Sequence, residues 1–190
     1  MKAKIVFIVL LNIIIGYSNV YSQGFTPPEE GKSVVYFVRV STYGFAISFE
    51  FFDNDKFIGA FKGKNYMRYE CDPGKHLLWA SSENKEFITA DLKENSTYII
   101  LVHVIMGGMK ARVGLAGCPA DNNEFGNARN IVMKKKPKVT SQKNIEATTK
   151  KLKKRNFIED NLAKYETIWR NEKNFRHVSV DMAIPEDKLK

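Results

Sequence analysis

The sequence predicts a mainly β chain, an antiparallel β-sandwich or barrel followed by one C-terminal amphipathic α-helix. Three observations carry this expectation. From Ser33 to Gly117, short apolar runs are broken by turn residues about every ten positions. Inside several of those runs apolar and polar residues alternate, the period of a half-buried strand. From Gln142 to Asn171 neither proline nor glycine occurs, and the apolar residues take helical spacing instead.

The elements follow in order. Ser33–Val40 is rich in β-branched and aromatic residues and reads as a strand. In Phe45–Phe52 the set Phe45, Ile47, Phe49 and Phe51 alternates with Ala46, Ser48 and Glu50, so the phenylalanines should face inward. Asp53-Asn54-Asp55 turns the chain into Lys56–Lys62. Asn65–Cys71 places Met67, Tyr69 and Cys71 on one face, Arg68 and Glu70 on the other. Asp72-Pro73-Gly74 is a strong turn, because proline presets φ and glycine tolerates positive φ. His76–Ala80, Phe87–Leu92, Thr97–Met106 and Met109–Ala116 complete the series. Val34–Val38 and Tyr98–Val102 are apolar on both faces, so something must cover the second one. The helix supplies an expected cover: Ile158, Leu162, Tyr165 and Trp169 recur at spacings of four, three and four, weakly extended by Leu152 and Ile145. Val178, Val180, Met182 and Ile184 alternate as a candidate edge strand.

The first 22 residues read as a secretory signal peptide. Lys2 and Lys4 precede an apolar stretch from Ile5 to Ile15, and Val20-Tyr21-Ser22 offers a cleavage site. That apolar stretch falls well short of the roughly 20 residues a spanning helix needs. The expected localisation is export, periplasmic or secreted, with no cysteine placed for a lipid anchor. The organisation is then 1–22 signal peptide, 23–30 linker, 31–118 β domain, 119–141 polar and basic linker, 142–171 helix, and 172–190 tail. The formal net charge is +9, but it is not evenly spread. Residues 134–155 hold ten Lys/Arg against the single Glu146, while the flanking stretches are close to neutral.

The order of turns carries a family resemblance. Phe57-Ile58-Gly59 follows an Asp/Asn turn. Asn65-Tyr66 comes next, then Asp72-Pro73-Gly74-Lys75-His76 opening a strand. Leu92-Lys93-Glu94-Asn95-Ser96-Thr97-Tyr98-Ile99 then leads into an apolar strand. This order resembles the bacterial domain-of-unknown-function 2846 family and, more distantly, PEGA-type surface domains, over about residues 31–118. The resemblance implies an exported β-sandwich of transthyretin- or immunoglobulin-like type. It implies no catalytic residues.

Chemistry is sparse. His76, His103 and His177 share no ligand spacing, and each reads as a satisfied histidine rather than a metal ligand. Asp53-Asn54-Asp55 lacks the glycine and glutamate of a calcium loop and reads as a hairpin turn. Phosphate-loop, nucleophile-elbow and zinc-protease motifs are missing from the sequence. We expect no enzyme, no cofactor and no metal. Cys71 and Cys118 are the only cysteines, and strand parity points them to different faces, against a disulfide. The expected function is a cell-envelope binding or scaffold module for an envelope protein or glycan. The alternative is peripheral contact with an anionic membrane surface or polymer through Lys134, Lys135, Lys136, Lys138, Lys150, Lys151, Lys153, Lys154 and Arg155. The segment 134–155 is expected to stay solvated, since ten cations in 22 residues repel one another and bury little. Nucleic acid is disfavoured, because the basic run lacks interleaved aromatics for base stacking.

Overall fold

A computed structural model describes residues 23–106 and 111–190. The expected signal peptide lies outside those residues. Nine strands are described: β1 Ser33–Val38, β2 Ser48–Asp53, β3 Lys56–Lys62, β4 Tyr66–Cys71, β5 Gly74–Ser81, β6 Lys85–Leu92, β7 Ser96–Met106, β8 Ala111–Gly117 and β9 Arg176–Val178. The helices are α1 Phe125–Lys134, α2 Gln142–Lys153, α3 Phe157–Lys164 and α4 Arg170–Glu172, the last two joined through a π-helical turn, Tyr165–Trp169.

The strands form two sheets, ordered β4-β1-β7-β8 and β3-β2-β5-β6-β9. Both are mixed, which corrects the all-antiparallel expectation: β1 runs parallel to β7, and β6 parallel to β9. Hairpins force antiparallel pairing only between strands adjacent in sequence. β1 and β7 are separated by five strands, so the chain can return in either direction. The sheets share one apolar core, with Val35, Phe37, Tyr98 and Ile100 from the first meeting Phe49, Phe51, Leu78 and Ile88 from the second.

The doubly apolar strands are covered, but not by the expected helix. Val34, Tyr36 and Val38 of β1, with Ile99 and Leu101 of β7, point away from the shared core and pack on Phe125, Ala128, Ile131 and Val132 of α1. This helix falls inside the stretch read as a linker, 119–141. Gly126, Asn127 and Asn130 lower its intrinsic propensity and conceal a short apolar stripe. The stripe on α2 and α3 covers the second sheet instead: Leu152, Ile158 and Tyr165 are buried against Phe52, Phe57, Trp79 and Phe87, with Ile145, Leu162 and Trp169 packed around them.

Three other expectations shift. The helix 142–171 is broken at Asn156, which takes a left-handed conformation (φ 48°) without the glycine or proline that would have announced it. Phe45 is 74% exposed, because a turn with Gly44 at φ 63° delays β2 until Ser48. The tail forms only the three-residue β9, ending at Val178. Val180–Met182 is a 3-10 turn, and Ile184 is buried in the α1 cluster.

Candidate functional site

β4 and β3 are the edge strands of their sheets, and the chain carries the connection between α1 and α2 across both. In the β1–β4 ladder the Arg39 N–H donates to the Asn65 carbonyl. That bond sets the parity: the backbone of Met67 and Tyr69 faces β1, and that of Tyr66, Arg68 and Glu70 faces outward. The Lys138 N–H takes the Tyr66 carbonyl at 2.8 Å. On the β3 edge the Ala60 N–H donates to Thr140 Oγ1 at 3.0 Å. Residues 135–141 thus form a strap fastened to both edges, not a free linker.

Below the strap lies an open groove of about 480 Å3, with Ile58 and Met67 in its lining. Arg68 and Glu70 border it with their outward-facing edge, and Thr26, Pro27 and Glu29 complete its lining. Two residues apart on one strand, Arg68 and Glu70 share a face. Arg68 Nη2 donates to Glu70 Oε2 at 2.5 Å and to the Pro27 carbonyl at 3.1 Å. Arg68 Nε is buried and has no protein acceptor among the described residues. The groove therefore combines strand-edge amides and carbonyls, a polarised guanidinium and a small apolar floor. That suits hydrogen bonding to an extended ligand, and it offers no activated nucleophile.

A second cluster lies at the opposite end of β4. Asp53, at the end of β2, accepts the Tyr69 hydroxyl at 2.8 Å and His76 Nδ1–H at 2.8 Å on the same oxygen, Oδ2. His76 Nε2 donates to the Asp72 carbonyl at 2.9 Å. Both ring nitrogens face acceptors, an arrangement that favours the protonated ring, and its pKa is raised chiefly by the hydrogen bond to Asp53. Burial, reinforced by Asp53, pushes the Tyr69 phenol well above its ordinary range. Burial pushes the Cys71 thiol up to about 12. The hydrogen bonds of Tyr69 and His76 fasten the β2–β3 turn to the Asp72-Pro73-Gly74 turn. Among the described residues no group of three or more His, Cys, Asp and Glu side chains is placed to hold a metal.

The basic residues do not form one patch. Lys134, Lys136 and Lys138 are exposed around the start of the strap, and Lys135 Nζ donates to the Lys64 carbonyl. Lys150, Lys151, Lys153, Lys154 and Arg155 are exposed at the far end of α2, over the second sheet. Arg155 lies 5.6 Å from the centroid of the Phe157 ring. Of the expected packing face, Ile158 and Tyr165 are buried, Leu162 and Trp169 half-buried. The sequence reading missed the groove. Its one local signal was the Arg68/Glu70 pair on a short strand, the charged marking typical of an edge.

No family model, curated protein or solved structure matches the chain. No helix among the described residues is long and apolar enough to cross a membrane.

Proposed function

We propose that the chain is an exported, non-enzymatic binding module of the cell envelope that takes an extended peptide along the β4 edge. The observation that carries this is the pair Arg68 and Glu70, whose outward backbone groups border a polar groove while the strap occupies only the neighbouring position at Tyr66. Strand addition at such an edge gives affinity through main-chain hydrogen bonds and specificity through alternate side chains. The same reading takes the two sheets as a sandwich of transthyretin- or immunoglobulin-like type, supported by their common core. It also takes the chain as kin to the domain-of-unknown-function 2846 family, supported by the order of its turns. Export rests on the pattern Lys2 to Ser22.

A peptide display library panned on the chain from Gln23 onward tests the groove. Glu70→Pro removes the outward N–H while sparing the ladder to β1, and Glu70→Gln keeps it. Enriched peptides should lose about tenfold or more in affinity on the proline variant, as one or two hydrogen bonds imply, and hold on the glutamine variant. Absence of enrichment, or equal binding by the two variants, would remove the edge from consideration. Glycan binding insensitive to Glu70→Pro would place the ligand elsewhere.

A second reading, peripheral contact with an anionic membrane, is favoured by one observation. The first basic group does not stand alone: its Lys135 reaches the β3–β4 turn, where Lys62 and Lys64 are also exposed.

A further inference from the structure

The end of the molecule that carries the β3–β4 turn also carries the two most exposed large apolar side chains among the described residues, Phe45 and Met106. Tyr43 and Phe45, in the β1–β2 connection, are 52% and 74% exposed; Ile105 and Met106, at the end of β7, are 48% and 71% exposed. The two segments touch, the Tyr43 hydroxyl meeting Met106 Sδ. A slack loop would turn such side chains inward. This one is held open by Arg39, which is wholly buried. Its Nη1 donates to the Ile47 carbonyl at 2.9 Å, and its Nη2 to the carbonyls of Tyr43 at 2.5 Å and Gly44 at 2.7 Å. The guanidinium sits 5.2 Å from the centroid of Phe49. All these acceptors are backbone carbonyls, so a buried charge is spent on the shape of one loop. Gly44 at φ 63° completes that shape, since a Cβ there would stand 2.9 Å from Ile47 Cδ1 and 3.3 Å from Arg39 Nη2.

Cations surround this apolar tip. A Cβ on Gly63 would stand 3.5 Å from the Phe45 carbonyl, so the β3–β4 turn with exposed Lys62 and Lys64 lies beside Phe45. Lys135 joins that turn through the Lys64 carbonyl, bringing Lys134 and Lys136 with it. Exposed Arg112 stands opposite Ile105 in the β7–β8 ladder. Exposed Glu83 also lies at this end, on a turn tied to Ala111 through Ser82.

We infer that this tip is a membrane-docking surface, with Tyr43, Phe45 and Met106 entering the headgroup region of an anionic bilayer and Lys62, Lys64 and Lys136 meeting its phosphates. Aromatic and long aliphatic side chains inside a ring of lysines are the composition of an interfacial anchor. Protein interfaces favour aromatics and methionine too, but they deplete lysine, and the lysine-rich rim decides for lipid. The inference rests on the second reading above and narrows it, since it assigns the contact to the tip and leaves out Lys150 to Arg155 on the second sheet.

Sedimentation with phosphatidylglycerol/phosphatidylcholine vesicles and with pure phosphatidylcholine vesicles separates the two. The chain from Gln23 onward should bind the anionic vesicles. Lys62→Gln/Lys64→Gln/Lys136→Gln should weaken that binding about a hundredfold at low salt, and Tyr43→Ser/Phe45→Ser about tenfold even at about 0.5 M salt. Both variants should melt like the parent, because the altered side chains are exposed. A Phe45→Trp probe should shift its emission to the blue on anionic vesicles. If the parent binds but both variants bind equally well, the tip is wrong and the basic-segment reading survives through Lys150 to Arg155. If the parent ignores anionic vesicles, both fall. A Phe45→Trp probe that is unmoved while the parent binds also overturns the tip.

Discussion

Ile131 tests whether α1 is an integral layer of the fold. The side chain is 3% exposed, in a cluster with Val34, Tyr36, Ile99 and Leu101. Ile131→Ala removes three carbons at about 0.8 kcal/mol each, roughly 2.4 kcal/mol of transfer free energy. A cavity adds to this, since the sheet beneath cannot follow a shrinking helix residue. The better helix propensity of alanine returns about 0.4 kcal/mol. The net expectation is a loss of about 3 kcal/mol, or about 6–12 °C in Tm for a chain of this size. Urea and thermal melts of the chain from Gln23 onward measure it, with Lys134→Gln as an exposed control within about 0.5 kcal/mol of the parent. Leu152→Ala, in the separate cluster over the second sheet, should add to Ile131→Ala within about 0.5 kcal/mol. A loss below 1 kcal/mol at Ile131, with no gain in binding of a hydrophobic dye, would mean that α1 does not cover β1 and β7.

The remaining predictions are narrower. His76 has its pKa raised in the folded chain, so its contribution is full below the unfolded histidine value of about 6.5 and fades as pH rises through the folded value. His76→Gln should therefore cost more stability at pH 5.5 than at pH 9, and equal cost at both would refute an imidazolium held by Asp53. Asn156→Ala should lose about 1 kcal/mol and Asn156→Gly little, because only the first pays for a left-handed backbone; equal melts would deny the strained turn. Cys71 sits in the shared core and Cys118 in the α1 cluster, both as free thiols raised to about 12 by burial. Thiol reagents should be inert at pH 8 on the native chain and find two groups after denaturation. A mass two units low would show a disulfide instead.

The strands were legible because alternation and turn chemistry are local. Lys56–Lys62 was read residue for residue, and the expected Asp53-Asn54-Asp55 turn narrows to Asn54-Asp55, with Asp53 paired to Lys56. Pairing was less so, since nothing in Val34–Val38 says that Thr97–Leu101 will lie parallel beside it. The need for a cover on β1 and β7 followed from their double-sided apolarity. Its source did not, because the stripe on α1 is short and diluted by asparagine and glycine. Charge was visible as a sum along the chain, and the strap then distributed it, placing Lys134 to Lys138 beside the β3–β4 turn and Lys150 to Arg155 over the other sheet. The groove depends on two edge strands meeting under that strap, a coincidence of topology that no single segment encodes.

The stretch after α4 has a consequence for the order in which the chain can fold. Val178 fills the shared core, Ile184 fills the α1 cluster, and the Ile184 N–H donates to the Thr97 carbonyl. Arg129 on α1 donates to the Lys188 carbonyl. Neither apolar layer on the first sheet is complete until translation has passed residue 184. A nascent chain arrested before Arg176 lacks Val178 from the shared core and Ile184 from the α1 cluster, so neither layer is fully closed. Such a chain should stay looser on the ribosome until residues 176–184 have emerged. A lock that lies after β1 to β8 and the covering helices in the sequence keeps the two layers open until those elements have all been made.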